Sequence, residues 1–137
     1  MKLIRAIVRP EREEPVIAAL EATGIISLTK MDVLGRGQQR GIQVGATVYD
    51  ELPKVQLIIV VEDAKVEAAL AAIGTGAKTG QPGDGKIFIS PVDAAYTIRT
   101  GQKVEDATAS PAPHSEVTES LRPPVPSQTE RQTGQTA

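Results

Sequence analysis

The chain predicts an α+β fold of the ferredoxin-like, split βαβ kind. Two observations carry this. Strand-like and helix-like stretches follow one another as β-α-β, a long glycine-rich loop, then β-α-β again. That order lays two helices on one face of an antiparallel four-stranded sheet. The most apolar stretch, residues 54–62 (KVQLIIVVE), opens the second unit and is apolar enough for a central strand.

Each element has its own warrant. Residues 2–8 (KLIRAIV) mix β-branched and charged residues and stop before Pro10, as a strand does. Residues 11–23 open with acids, place Pro15 in the first turns and carry Val16, Ala19, Leu20 and Thr23 at helical spacing. The acids suit the positive end of a helix, and Gly24 is a natural stop. Residues 25–34 (IISLTKMDVL) read as a second strand. Residues 35–53 hold four glycines and Pro53 without a sustained period, which predicts a long loop of the functional kind. After the central strand, residues 63–73 predict a helix with Asp63 as N-cap and Val66, Ala69, Leu70 and Ile73 on one face. Gly74 and Gly76 weaken its end. Residues 86–92 form the fourth strand, followed by a short polar segment to residue 103.

Apolar residues point to both faces of this sheet, among them Ile4, Ile58 and Ile59. Helices cover only one face, so a partner chain is expected on the other and the protein is expected to form a closed homo-oligomer. From Val104 to Ala137 the pattern collapses into Pro, Ser, Thr, Gln and Glu. Such a segment buries too little apolar surface to offset chain entropy, so residues 104–137 are expected to be a disordered tail behind a domain at 1–103. The tail has a P-x-x-P spacing at Pro123 and Pro126, and His114 lies in it as a solvated residue.

Composition closes several routes. Net charge is -2, with 13 basic and 12 acidic residues in 1–103 and 2 basic and 5 acidic beyond, so no basic field draws nucleic acid. The three aromatics, Phe88, Tyr49 and Tyr96, are too few for a base-stacking sheet. There is no cysteine and a single histidine, which excludes thiolate and His/Cys metal sites. No stretch is long and apolar enough to span a bilayer, and the N-terminus is not a signal peptide, so a cytoplasmic protein without membrane insertion is expected.

One stretch asks for a ligand. TGQPGDGKIF, residues 79–88, packs Gly80, Gly83, Gly85 and Lys86 into one turn. Glycines let backbone N–H groups converge on an anion, and a lysine adds a charge suited to phosphate. The spacing is not that of a Walker A loop, because Ile87 follows Lys86. Taken alone, the stretch also fits a plain glycine turn, with Asp84 shaping it.

Four motifs occur in order: GRGQQRG (35–41), LPKV (52–55), TGQPGDGKIF (79–88) and TIRTGQ (97–102). Together they resemble the PII family of nitrogen-signalling proteins, over residues 1 to about 103. RAIVRPE (5–11), TKMDVLGRG (29–37), VYDELPK (48–54), VVED (60–63) and SPVDAAYTIRTG (90–101) are similar to the nitrogenase-linked branch found in archaea and some anaerobic bacteria. The resemblance implies a trimer that binds ATP or ADP between subunits, and 2-oxoglutarate together with Mg-ATP. It implies that the backbone of Gly83, Asp84 and Gly85 and the side chain of Lys86 clasp phosphates, with Arg99 arriving from a neighbouring subunit. Thr29 and the backbone near Val60 hold the adenine. Gln39 faces Mg2+, the backbone around it, Gly37 included, faces 2-oxoglutarate, and Lys54 pairs with a carboxylate of that ligand. The loop at 35–53 then docks on a target, which the branch suggests is dinitrogenase, and a second PII-like chain is a further candidate partner in a mixed oligomer.

The chain departs from the common branch at three places. Gln38 and Thr97 stand where that branch has arginines, leaving Arg40 and Lys86 to supply charge. Tyr49 does not align with the tyrosine that is uridylylated there. The implied activity is regulatory binding without catalysis. A slow ATPase and a nucleotide-independent trimeric scaffold are the other readings of the same residues.

Overall fold

In the computed structural model, which describes residues 1–38 and 42–105, four strands form one antiparallel sheet. They are β1 (Lys2–Val8), β2 (Thr29–Gly35), β5 (Leu52–Val61) and β6 (Lys86–Pro91), in the order β2-β5-β1-β6. β3 (Ile42–Val44) and β4 (Thr47–Tyr49) make a separate small hairpin between β2 and β5. The helices are α1 (Glu13–Ala22) and α2 (Val66–Ala77). This is the ferredoxin-like order read from the sequence, with the most apolar strand, β5, inside the sheet.

Alternation along the strands sorts the two faces. Ile4, Ala6 and Val8 on β1 lie beside Ile59, Leu57 and Val55 on β5, and all six are buried. They pack under Val16 and Leu20 of α1 and Ala69, Ala72, Ile73 and Ala77 of α2. The opposite face carries Met31, Ile58, Val60, Arg5 and Phe88, and no element among the described residues covers it. Met31, Val60 and Phe88 are roughly half exposed there.

The helix ends differ in instructive ways. α1 ends at Gly24 as expected: Ile25 N–H donates to Leu20 O (3.1 Å) and Gly24 N–H to Glu21 O (2.9 Å), with Gly24 at φ +84°. This pair of bonds needs a left-handed residue, and Ile25 closes it by packing with Leu20 in the core. Ile25 thus belongs to this cap, and the strand expected from residue 25 starts only at Thr29. Both helices begin with a short 3-10 turn, Pro10–Arg12 and Asp63–Lys65. Asp63 is not the N-cap expected: Glu62 stands there, Asp63 is the first residue of the turn, and its carboxylate accepts from the N-terminal ammonium of Met1 at 2.8 Å.

α2 runs through Gly74 and Gly76 to Ala77, past the expected end at residue 73. A Cβ on Gly76 would lie 2.6 Å from Cα of Val16, so the glycine is where the two helices touch backbone to backbone. Arg12 Nε donates to Gly76 O (2.8 Å) and fastens the same contact. Residues 35–53 are also more ordered than a plain loop. Gly35 and Leu52 extend the sheet pairing, and Ile42, Gln43 and Val44 pair with Tyr49, Val48 and Thr47 around Gly45 at φ +64°. Gln39, Arg40, and the tail from residue 106 onward, which was expected to be disordered, lie outside the described residues.

Candidate functional site

The stretch from Thr79 to Lys86 joins the end of α2 to the start of β6, and its backbone lies on β1. Gly80, Gly83 and Gly85 have φ of +86°, +97° and +107°. The last is also sterically obligatory, since a Cβ on Gly85 would stand 1.7 Å from the carbonyl oxygen of Ile7. No side chain fits at residue 85, where the loop meets β1 backbone to backbone.

Asp84 builds the turn from inside. Its carboxylate accepts from the N–H groups of Thr79 and Gly80, both at 2.9 Å, and from the Thr79 hydroxyl. Arg9 Nε adds a fourth donor at 3.2 Å. These bonds, led by those from Thr79, hold the Asp84 carboxyl well below the usual carboxylate range. The aspartate is therefore an internal anion that uses the upstream N–H groups of the loop, and the turn-shaping role expected for it is what the structure shows.

Two cations hold the next peptides. Arg9 Nη2 donates to Pro82 O at 2.7 Å, and Lys54 Nζ donates to Gly83 O at 2.6 Å. Partial burial, and then the charge of Arg9, push the Lys54 ammonium below its ordinary value. Lys86 follows as the first residue of β6, in register with Ile7 and exposed. Arg9, Lys54 and Lys86 thus gather about one loop that carries one acid. Glycines with open N–H geometry ringed by excess positive charge make a site for a polyanion. A shallow, mostly apolar cleft of about 340 Å³ adjoins it, bounded by Ile73, Ala77, Gly85 and Ile87.

Of the residues expected from the sequence, the structure brings Lys54, Gly83, Asp84, Gly85 and Lys86 together. Gly37 lies just past the end of β2, with nothing within 4 Å of where a Cβ would be. Thr29 starts β2, the sheet edge opposite β6, and Val60 lies farther along β5 beside Leu3. Three strand spacings, about 14 Å, separate Thr29's strand from that of Lys86. Arg99 sits in a turn held by Thr97 N–H to Gln102 O (2.9 Å) and Gly101 N–H to Thr97 O (2.8 Å). That segment leaves β6 at the end away from Lys86, and no hydrogen bond or ion pair joins Arg99 to the cluster among the described residues. Gln39 lies outside the described residues.

Arg9 is the site residue that sequence reasoning missed. In the sequence it stands before Pro10 and reads only as the end of a strand. Its partners are 73 and 75 residues away, a separation over which local pattern carries no signal.

Comparison with known proteins gives the family of the chain. Residues 1–102 match the family model described as Nitrogen regulatory protein P-II. This chain belongs to the P-II family. Among similar proteins are two described as nitrogen fixation nifHD region GlnB-like protein 1. The one from Methanococcus maripaludis is 56% identical over 100 residues, which are 73% of this chain and 95% of that protein. The one from Methanothermobacter marburgensis is 52% identical over 103 residues, 75% of this chain and 98% of that protein. The Nitrogen regulatory protein P-II of Cereibacter sphaeroides is 46% identical over 111 residues, 78% of this chain and 99% of that protein. The likeness to the nitrogen-fixation branch read from the motifs thus holds across the folded body. P-II proteins are nitrogen regulators that act as signalling proteins, and this P-II chain is one of that regulatory kind. No helix among its described residues is long and apolar enough to cross a membrane.

Proposed function

We propose that this P-II chain is a cytoplasmic homotrimeric sensor of ATP or ADP and of 2-oxoglutarate, and that it regulates nitrogen metabolism by docking its 35–53 loop on a target protein. The bond from Lys54 to Gly83 O, with Lys86 following Gly85 in the chain, carries this reading. It supplies donors and cations for a nucleotide's phosphates, and it puts the base of the target loop on the phosphate loop itself through Lys54 and Gly83 O. Thr29, Val60 and Arg99 stand apart from this cluster, which suits a nucleotide held between two subunits, one giving the phosphate half and its neighbour the rest.

The donor set also fits Mg2+ carried by the nucleotide. Among the described residues no group of His, Cys, Asp or Glu could hold a metal. A Mg2+ ion needs no such cage when phosphates supply most of its oxygens, and the Gln39 amide oxygen would complete the set. 2-Oxoglutarate would then place a carboxylate at Lys54, in competition with Gly83 O. Catalysis finds little support, because Asp84, the one acid of the loop, is already saturated with donors and has no capacity to act as a base. The target consistent with the nitrogen-fixation relatives is dinitrogenase, and a second P-II chain in a mixed oligomer is the other partner the branch suggests.

Calorimetry on the full chain tests the reading. ATP should bind, and Lys86→Ala should weaken it about tenfold or more. 2-Oxoglutarate should bind only in the presence of Mg-ATP, and Gln39→Ala or Lys54→Ala should each abolish that binding. A protein that binds 2-oxoglutarate without nucleotide, or no nucleotide at all, removes the proposal.

A further inference from the structure

We propose that Arg9 is a positioning residue of the phosphate loop, orienting the Gly83 N–H through the Pro82 carbonyl and offsetting the charge of Asp84. The inference rests on the nucleotide reading above and assigns a residue to it. A trans peptide is planar, so its C=O and N–H point in opposite directions. Arg9 Nη2 holds Pro82 O at 2.7 Å and thereby turns the N–H of Gly83 away from the guanidinium. Lys54 acts in the same way on the next peptide by holding Gly83 O at 2.6 Å. Proline fixes its own φ, so anchoring its carbonyl leaves this peptide little freedom.

Glycine alone would not keep this geometry. At φ +97° Gly83 occupies a region that glycine enters at no steric cost and can equally leave. The guanidinium packs against the glycine, where a Cβ would lie 3.2 Å from Nη2, and so confines it. Arg9 has a second task at Asp84. A carboxylate inside a phosphate-binding loop repels the incoming phosphate, and Arg9 Nε neutralises it at 3.2 Å. Arg9 is itself only about one-fifth exposed, and its donors are engaged by the loop.

The test compares the full-length protein with Arg9→Met, a substitution that keeps the length of the side chain. The probes are ATP titration by calorimetry and the amide resonances of Gly83, Gly85, Leu57 and Ile59. The expected result is a loss of ATP affinity of about tenfold or more, with the Gly83 and Gly85 amides displaced and the Leu57 and Ile59 amides in place. An ATP affinity within about twofold of the parent overturns the inference. So does a loss accompanied by displaced Leu57 and Ile59 amides, since that reports a general defect of the fold. If the parent protein binds no ATP, the functional reading fails. The Gly83 amide in Arg9→Met then still shows whether Arg9 anchors the loop, and an unmoved resonance rejects it.

Discussion

At the scale of single residues, the glycines of the 79–86 loop fall into two kinds. Gly80 and Gly85 both have positive φ, but only Gly85 also touches a strand. Nothing stands within 4 Å of a Cβ on Gly80. Gly80→Ala should therefore cost only the left-handed backbone penalty, about 1–2 kcal/mol. Gly85→Ala adds a collision with the Ile7 carbonyl and should cost at least about 3 kcal/mol. Thermal unfolding at matched protein concentration checks the order. Equal midpoints for the two variants would show that the loop lifts off β1 without resistance. Asp84 is the other residue whose role is local. Its bonds from Thr79 and Gly80 close the turn, and the resulting depressed pKa means that this stabilisation is present above the ordinary carboxylate pKa and fades only as pH falls through the lower folded value.

At the scale of elements, the contact between α1 and α2 depends on a glycine that looks like a weakness. Helix propensity ranks Gly74 and Gly76 alike, and both should favour alanine by about 1 kcal/mol. Packing separates them. A Cβ on Gly74 meets nothing within 4 Å, whereas one on Gly76 meets the Val16 backbone at 2.6 Å. Gly74→Ala should stabilise the protein by roughly 0.5–1 kcal/mol. Gly76→Ala should destabilise it by about 1–3 kcal/mol, because the helices must part. Chemical denaturation of the two variants should give midpoints on opposite sides of the parent, and shifts of the same sign would refute the close helix contact. The β3–β4 hairpin belongs to this scale as well. Ile42, Val44 and Tyr49 are exposed on it in register, a pattern too short for its alternation to stand out among four glycines.

For the molecule as a whole, the sheet's open face is the surface on which the proposed assembly is expected to form. Ile58 lies at its middle beside Arg5, with Phe88 on the other side of Arg5. Burying such a face against neighbouring chains removes apolar side chains from water, at about 1.5–3 kcal/mol for each one fully covered. Ile58→Lys would put a second cation next to Arg5 and leave both without a partner in a buried interface. Sedimentation of the variant should show single chains where the parent sediments as three. A variant that keeps the parent mass would mean that assembly uses another surface.

The sequence by itself determined the order of elements, the inner position of β5, the cap at Gly24 and the family, because each is written in neighbouring residues. The apolar run over 54–62 and the helical spacing over 16–23 are local records of burial. The motifs about Lys54 and Lys86 likewise keep their spacing along the chain. Tertiary structure alone decided four matters. It gave Asp63 to the N-terminus, made Gly76 a contact, placed Lys54 on Gly83 O and brought Arg9 to Pro82 and Asp84. Each is a pairing across 29 to 75 residues, set by which strands lie side by side. A side chain's partner at that range depends on the path of the whole backbone, and no local periodicity records it.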